Sequence, residues 1–357
     1  MRHYNKLAIE YIEGYSKKRI DQALDSITHV SAMSNISEND INQLINNIKN
    51  EARIGIHFHP YRLNSEFKNV LELLIESGIY KNQFETKISN GSLTAFEGGK
   101  RDLWENVLFN DLFSSNQISI SERPKYGSLD LLGHSDGPSP RFGSCYFLLK
   151  PELSQYSTFT YLDSYTNPKE KGTINFFEEI LSSLLLECFE RDYALGEKNV
   201  RPHQLLKKIH NTLNSENFSL GFRPPQRNLN HYIEAQIHTQ IFLETDVDFL
   251  IADPSFKHTE YEKRMHHLCD KYQIKLRWNQ GFELDTANVP THFRGNTMPI
   301  LAEQIAIGKK INAYVIGQAE KNYAKEITNH EQLQSKLQEL KYLWHTIVNY
   351  GMPIGEN

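Results

Sequence analysis

Cysteine is scarce. Three residues in 357, Cys145, Cys188 and Cys269, are odd in number and far apart, which excludes a disulfide framework or a zinc ribbon as the organising device. Long apolar runs are missing as well: the N-terminal "MRHYNKLAIEYIEGYSKKRIDQ" breaks its hydrophobic residues with charges every few positions, unlike a secretory signal or a membrane span. Nor is there an excess of positive charge. A net charge of -5 and a pI near 6.3 give no overall basic field to track a nucleic-acid backbone, though a local basic patch stays compatible with them. Neither a Walker loop nor a dinucleotide-binding glycine fingerprint occurs, and no repeat or low-complexity segment is found. These absences point to small molecules or proteins as partners and to folding in a cytosol. Delivery into a host cell is left open.

What is present is enough for a core. With 39% hydrophobic residues and a mean hydropathy of -0.55, the chain suits a globular protein. Apolar residues three and four apart (Ile9, Ile12, then Ile41, Leu44, Ile45, Ile48), with Ser37 as a cap, predict an N-terminal helical region over residues 1–52. "RIGIHFHPYRL" then switches to period two, Ile54, Ile56 and Phe58 against Gly55, His57 and His59. "SEFKNVLELLIESGIY" predicts a helix with Phe67, Val70, Leu71 and Leu74 on one stripe and Gly78 as its stop. Segments rich in Gly, Pro, Ser and Arg follow, including "SNGS", "FEGGKRD" and "GPSPRFGS", a composition that builds site loops. Phe142 and Phe147 are expected in the core. Helices are predicted in 174–213, at "TEYEKRMHHLCDKY" and near the C-terminus. The pattern favours one packed α+β body with helical flanks.

The stretch "HYIEAQIHTQIFLETDVDFLIADPSF" carries the chemical question. It alternates Ile233, Ala235 and Ile237 with Glu234, Gln236 and His238, placing a carboxylate in the middle of a polar strand face. Such a face fits an ordinary solvent-exposed sheet surface. Two of them in one chain, here and at His57, His59 and Arg62, also fit the two walls of a cleft. "HFH" offers two imidazoles, but no third and fourth ligand stands at a diagnostic spacing, so no metal is expected.

Taken in order, "IHFHPYRLN", "YKNQFETKISNGSLTAFEGGKRDLWENVLF", "ERPKYGSLDL", "SPRFGSCYFLLKPE" and "YIEAQIHTQIFLETDVDFLIADPSF" resemble a bacterial domain-of-unknown-function family with an ADP-ribosyltransferase-like core, of the effector or toxin-like type. The resemblance covers roughly residues 53–316, with C-terminal helices at 317–357 outside it. It implies a split β-sheet around an NAD cleft and a mono-ADP-ribosyltransferase that moves ADP-ribose from NAD to a side chain of a target protein, releasing nicotinamide. Arginine is the first acceptor to consider and a host protein a candidate target. NAD would be a substrate, with no metal. The resemblance places His59 or Arg62 on the ribose or diphosphate. It gives the middle strand either to Tyr126 and Ser128 or to Arg141, Ser144 and Tyr146, and the catalytic carboxylate to Glu234. Arg227, in the loop "RPPQRNLNHY", would help to recognise the acceptor, with Tyr232 and Gln236. Arginine-modifying relatives carry an acid two residues before the catalytic one, where this chain has Tyr232. A register with Gln236 at the catalytic position would leave the protein impaired. The strand face offers one acid, which favours Glu234. The alternatives are an NAD glycohydrolase, a metal-dependent hydrolase, or an inactive module that binds nucleotide or protein.

Overall fold

Alternation along the strands dictates the architecture. A computed structural model describes residues 3–88, 94–114, 118–214 and 229–355. Eight strands form the main sheet: β1 (Arg53–Phe58), β2 (Lys125–Asp130), β3 (Cys145–Leu149), β4 (Ser157–Tyr161), β5 (Lys171–Thr173), β6 (Ile233–Ile237), β7 (Val247–Ala252) and β8 (Lys275–Trp278). Their order is β8-β7-β3-β1-β2-β6-β4-β5. Every neighbouring pair is antiparallel except β7 and β8. The ladder is continuous across all eight, in place of the two separated halves that the resemblance implies.

Register decides which residues share a face. Gly55 pairs with Ser128, Ser128 with Glu234, Glu234 with Thr160, and His57 with Tyr146. Because side chains alternate across a strand, these all lie on one side of the sheet. The other side presents Ile54, Ile56, Phe147, Phe159, Ile233, Ala235 and Ile237, all fully buried in the main core. Burying one such aliphatic side chain contributes about 1.5–3 kcal/mol.

Helices of eight residues or more are α1 (His3–Lys17), α2 (Ile20–Met33), α3 (Glu38–Glu51), α4 (Val70–Ser77), α5 (Lys100–Leu108), α6 (Glu178–Arg191), α7 (Pro202–Leu213), α8 (Glu260–Tyr272), α9 (Met298–Ile305), α10 (Ala313–Glu326) and α11 (His330–Tyr350). The N-terminal helices are integral to the body: α1 packs on β5, α2 on α6, and α3 on α7. Ser37 caps α3 in a reciprocal capping box with Asp40. Gly78 ends α4 in the left-handed conformation at φ +66°, as a glycine stop requires. That helix starts later than its apolar stripe suggests. Asn69 is its cap, and Phe67, expected on the buried stripe, is 67% exposed in a left-handed turn at φ +60°. The three cysteines are free and buried. No helix among the described residues is long and apolar enough to cross a membrane.

Candidate active-site cleft

The polar side of the sheet is not washed by solvent. His57, Ser128, Glu234, Gln236, Thr158 and Thr160 are all 7% exposed or less, because loops and α5 cover them. Between these covers a cavity of about 330 Å³ remains. Glu234 and Ser128 of β6 and β2 line it, together with Tyr126, His57 and Arg141. Phe142 lines it too, whereas Phe147 is in the core.

Glu234 is the centre of a hydrogen-bond network. The Gln236 amide donates to its Oε1 at 3.0 Å, and the Ser164 backbone N–H approaches Oε2 at 3.4 Å. Gln236 is otherwise committed: it donates to Thr160 at 3.3 Å and accepts from the Thr158 hydroxyl at 2.8 Å. It therefore backs Glu234 and does not itself line the cavity. Burial pushes the Glu234 carboxyl up to about 7, and the neighbouring negative charge of Asp163 pushes the same way, against the Ser164 and Gln236 bonds and the Arg101 guanidinium. Asp163 lines the same cavity, accepting from the Tyr165 N–H and the Tyr232 hydroxyl, both at 2.9 Å.

Arg101 and Trp104 stand three apart on α5 and so share a helix face. The guanidinium lies 4.4 Å from the Tyr126 ring centroid and 4.7 Å from that of Trp104. Its Nε and Nη1 are buried without a hydrogen-bond partner. Trp104 in turn meets Tyr165 edge-on at 5.3 Å. The Tyr126 hydroxyl donates to Glu105 at 2.9 Å, a carboxylate that also receives Arg123 at 3.0 Å. Arg123 thus has a fixed partner, whereas Arg101 points unpaired into the cavity.

Charge is unevenly distributed. Among the described residues, Lys81, Lys100, Arg101, Lys125, Arg141 and Lys341 line the cavity against two acids, Asp163 and Glu234. In a chain of net charge -5, this is a local concentration of positive charge in a low-dielectric cleft, suited to an anionic ligand with an aromatic part.

The remaining sequence candidates lie elsewhere. His59 is buried, bonded to the Tyr61 hydroxyl at 2.9 Å and edge-on to Trp344; burial and the charge of Arg62 hold its pKa well below the usual histidine value. Arg62 is buried in an ion pair with Glu320 of α10 at 2.9 Å. The chain turns inward after Pro60, so neither side chain lines the cleft. Ser144 and Tyr146 are buried behind it, with Tyr146 stacked on His57 at 4.9 Å. His57 accepts from the Ser139 N–H at Nε2, leaving Nδ1 to donate to the Gly143 carbonyl at 3.0 Å; it is a bracing residue. Gly137, at φ +76°, permits this, since a Cβ there would stand 2.6 Å from His57 Nε2. Tyr232 holds Asp163 and does not line the cavity. Arg227 and the Asn90–Gly91 turn fall outside the described residues. Among the described residues no group of three His, Cys, Asp or Glu side chains is arranged to hold a metal ion.

A family described as protein of unknown function (DUF3626) matches residues 53–350, and the chain belongs to it. The match spans every strand of the main sheet and continues through α11, which brings Lys341 to the cleft. No curated protein matches the sequence.

Proposed function

We propose that this member of the family binds NAD in the cleft and transfers its ADP-ribose to a protein side chain. One observation carries the reading: among the described residues Glu234 is one of two acids lining a cavity that also carries six cations and the rings of Tyr80, Trp104, Tyr126, Phe142 and Tyr165. In this proposal the bond from nicotinamide to ribose breaks with its electron pair leaving on nicotinamide. Positive charge develops on the sugar, and the Glu234 carboxylate, within reach of a ribose hydroxyl, stabilises that state more than the ground state. The acceptor's lone pair then closes the new bond to the same carbon, and its proton passes to solvent. Trp104 and Tyr165 offer faces to an aromatic ring, and Arg101 offers unpaired donors to a phosphate.

Under the same reading the sheet corresponds to an ADP-ribosyltransferase core, with β1, β2 and β6 in the roles of early, middle and late strand. The acid missing two residues before Glu234 is supplied in space. Tyr232, which occupies that position, holds Asp163, whose charge reaches Glu234. That arrangement supports arginine as an acceptor, because a second carboxylate can orient a guanidinium. Incubation with NAD and a cell lysate, with free nicotinamide and labelled protein both measured, tests the proposal. Release without labelling would make the protein a glycohydrolase. The absence of both nicotinamide release and NAD binding would refute the reading.

A further inference from the structure

Cations gather in the part of the cleft bounded by α11, and among the described residues none of them is in an ion pair with a carboxylate. Lys341 of α11 and Arg141 both line the cavity. Trp344 ties α11 to the Arg141 turn by donating its Nε1 hydrogen to the Pro140 carbonyl at 2.9 Å. Arg294 belongs to a third segment and does not line the cavity; it is held in a left-handed conformation at φ +60° that is unusual for a residue with a side chain. The Nε atoms of Arg141 and Arg294 are buried without a hydrogen-bond partner. The Arg141 guanidinium donates to the neutral amide oxygen of Asn230 and lies 5.0 Å from the Phe142 ring centroid.

The three groups feel one another. Lys341 is pulled down to about 8, by burial first and then by Arg141, Arg62 and Arg294; only Asp163 acts in the other direction. Burial, with Arg141 behind it, lowers Arg294 as well. His345, next to them on α11, is held neutral by burial and by the same three cations. Arg62 is already matched by Glu320. The charge left without an ion pair among the described residues therefore belongs to Arg141, Arg294 and Lys341, with Asp163 the one acid that acts on Lys341. Gathering like charges in a half-buried setting is unfavourable, and a bound oxyanion would turn that cost into charge-assisted hydrogen bonds.

We propose that Arg141 and Lys341 form a seat for a phosphoryl oxyanion at the α11 side of the cleft. Identifying this group as part of a dinucleotide rests on the NAD reading above; the seat itself does not.

Titration calorimetry of the full chain with inorganic pyrophosphate at pH 8, in two buffers of different ionisation enthalpy, tests it. The wild type should bind saturably and take up a proton, because the anion raises the Lys341 pKa. Lys341→Met and Arg141→Gln should each weaken binding about tenfold or more, the scale of one charged hydrogen bond. Lys341→Met should also abolish the proton uptake, and Lys341→Arg should restore affinity without it. Melting of both weakened variants without ligand should hold or rise, which separates a lost contact from a lost fold. No saturable pyrophosphate binding by the wild type, or variants that bind as it does, would overturn the seat. Pyrophosphate binding of the expected pattern without nicotinamide release would keep the seat and remove the NAD reading. Wild-type NAD affinity and turnover in both variants would overturn the identification of the bound oxyanion as part of a dinucleotide.

Discussion

The two sides of the central sheet are equally dry and chemically opposite. On one, Ile54, Ile56, Ile233, Ala235 and Ile237 are fully buried; on the other, Ser128, Glu234, Gln236 and Thr160 are 6% exposed or less. The apolar side stabilises the fold by its burial alone. The polar side must satisfy each donor and acceptor, and it still leaves a carboxyl raised to about 7 and an unpaired guanidinium at the cavity. Polar groups buried at such a cost are a mark of a site shaped for a ligand.

Substitutions should separate the two sides. The largest effect is expected on the apolar one: Phe159→Ala, which empties part of the core, should cost about 3–5 kcal/mol of stability, read from denaturant unfolding. A loss below 1 kcal/mol would mean that this side is not the core that its burial indicates. Next comes Glu234→Gln, for which nicotinamide release should fall on the order of a hundredfold, with NAD affinity changed far less and melting held or raised. A variant releasing nicotinamide at the wild-type rate would end the role proposed for Glu234. Arg101→Ala should weaken NAD affinity about tenfold while the melting temperature stays put, as for one charged hydrogen bond to ligand; unchanged affinity in titrations would take Arg101 out of the binding site.

The smallest effect concerns pH. The folded-state pKa of Glu234 is raised, so the folded protein binds the extra proton. The resulting stabilisation is complete below the unfolded carboxyl value of about 4.3 and is lost as pH rises towards about 7. Glu234→Gln should therefore gain on the wild type in melting temperature between pH 5 and 8. A constant difference across that window would contradict the burial-driven shift.

Much of this contrast is legible in the residues. The period-two runs at Ile54, Ile56 and Phe58 and at Ile233, Ala235 and Ile237 announce the strands and their core-facing side. They are silent on whether the alternate positions meet water, because that depends on which loops fold over them. Arg101 hides in "FEGGKRDLWE", where the glycines draw attention to a turn, although Arg101 and Trp104 at helical spacing hint at a shared face. Asp163 and Lys341 carry no local signal. One follows β4 and the other lies on a helix near the end of the matched region, and only the fold brings both to Glu234. Sequence proximity misleads in the opposite way at His59 and Arg62, which follow a polar strand yet turn into the body towards Trp344 and Glu320.

The cleft takes its walls from residues as far apart in the chain as His57 and Lys341. Contacts of such long range form only after much of the intervening chain is ordered, since each closure costs loop entropy before it is rewarded. A half-folded chain thus has strands and helices but no cleft, and whatever the cleft binds can meet the protein only when folding is finished.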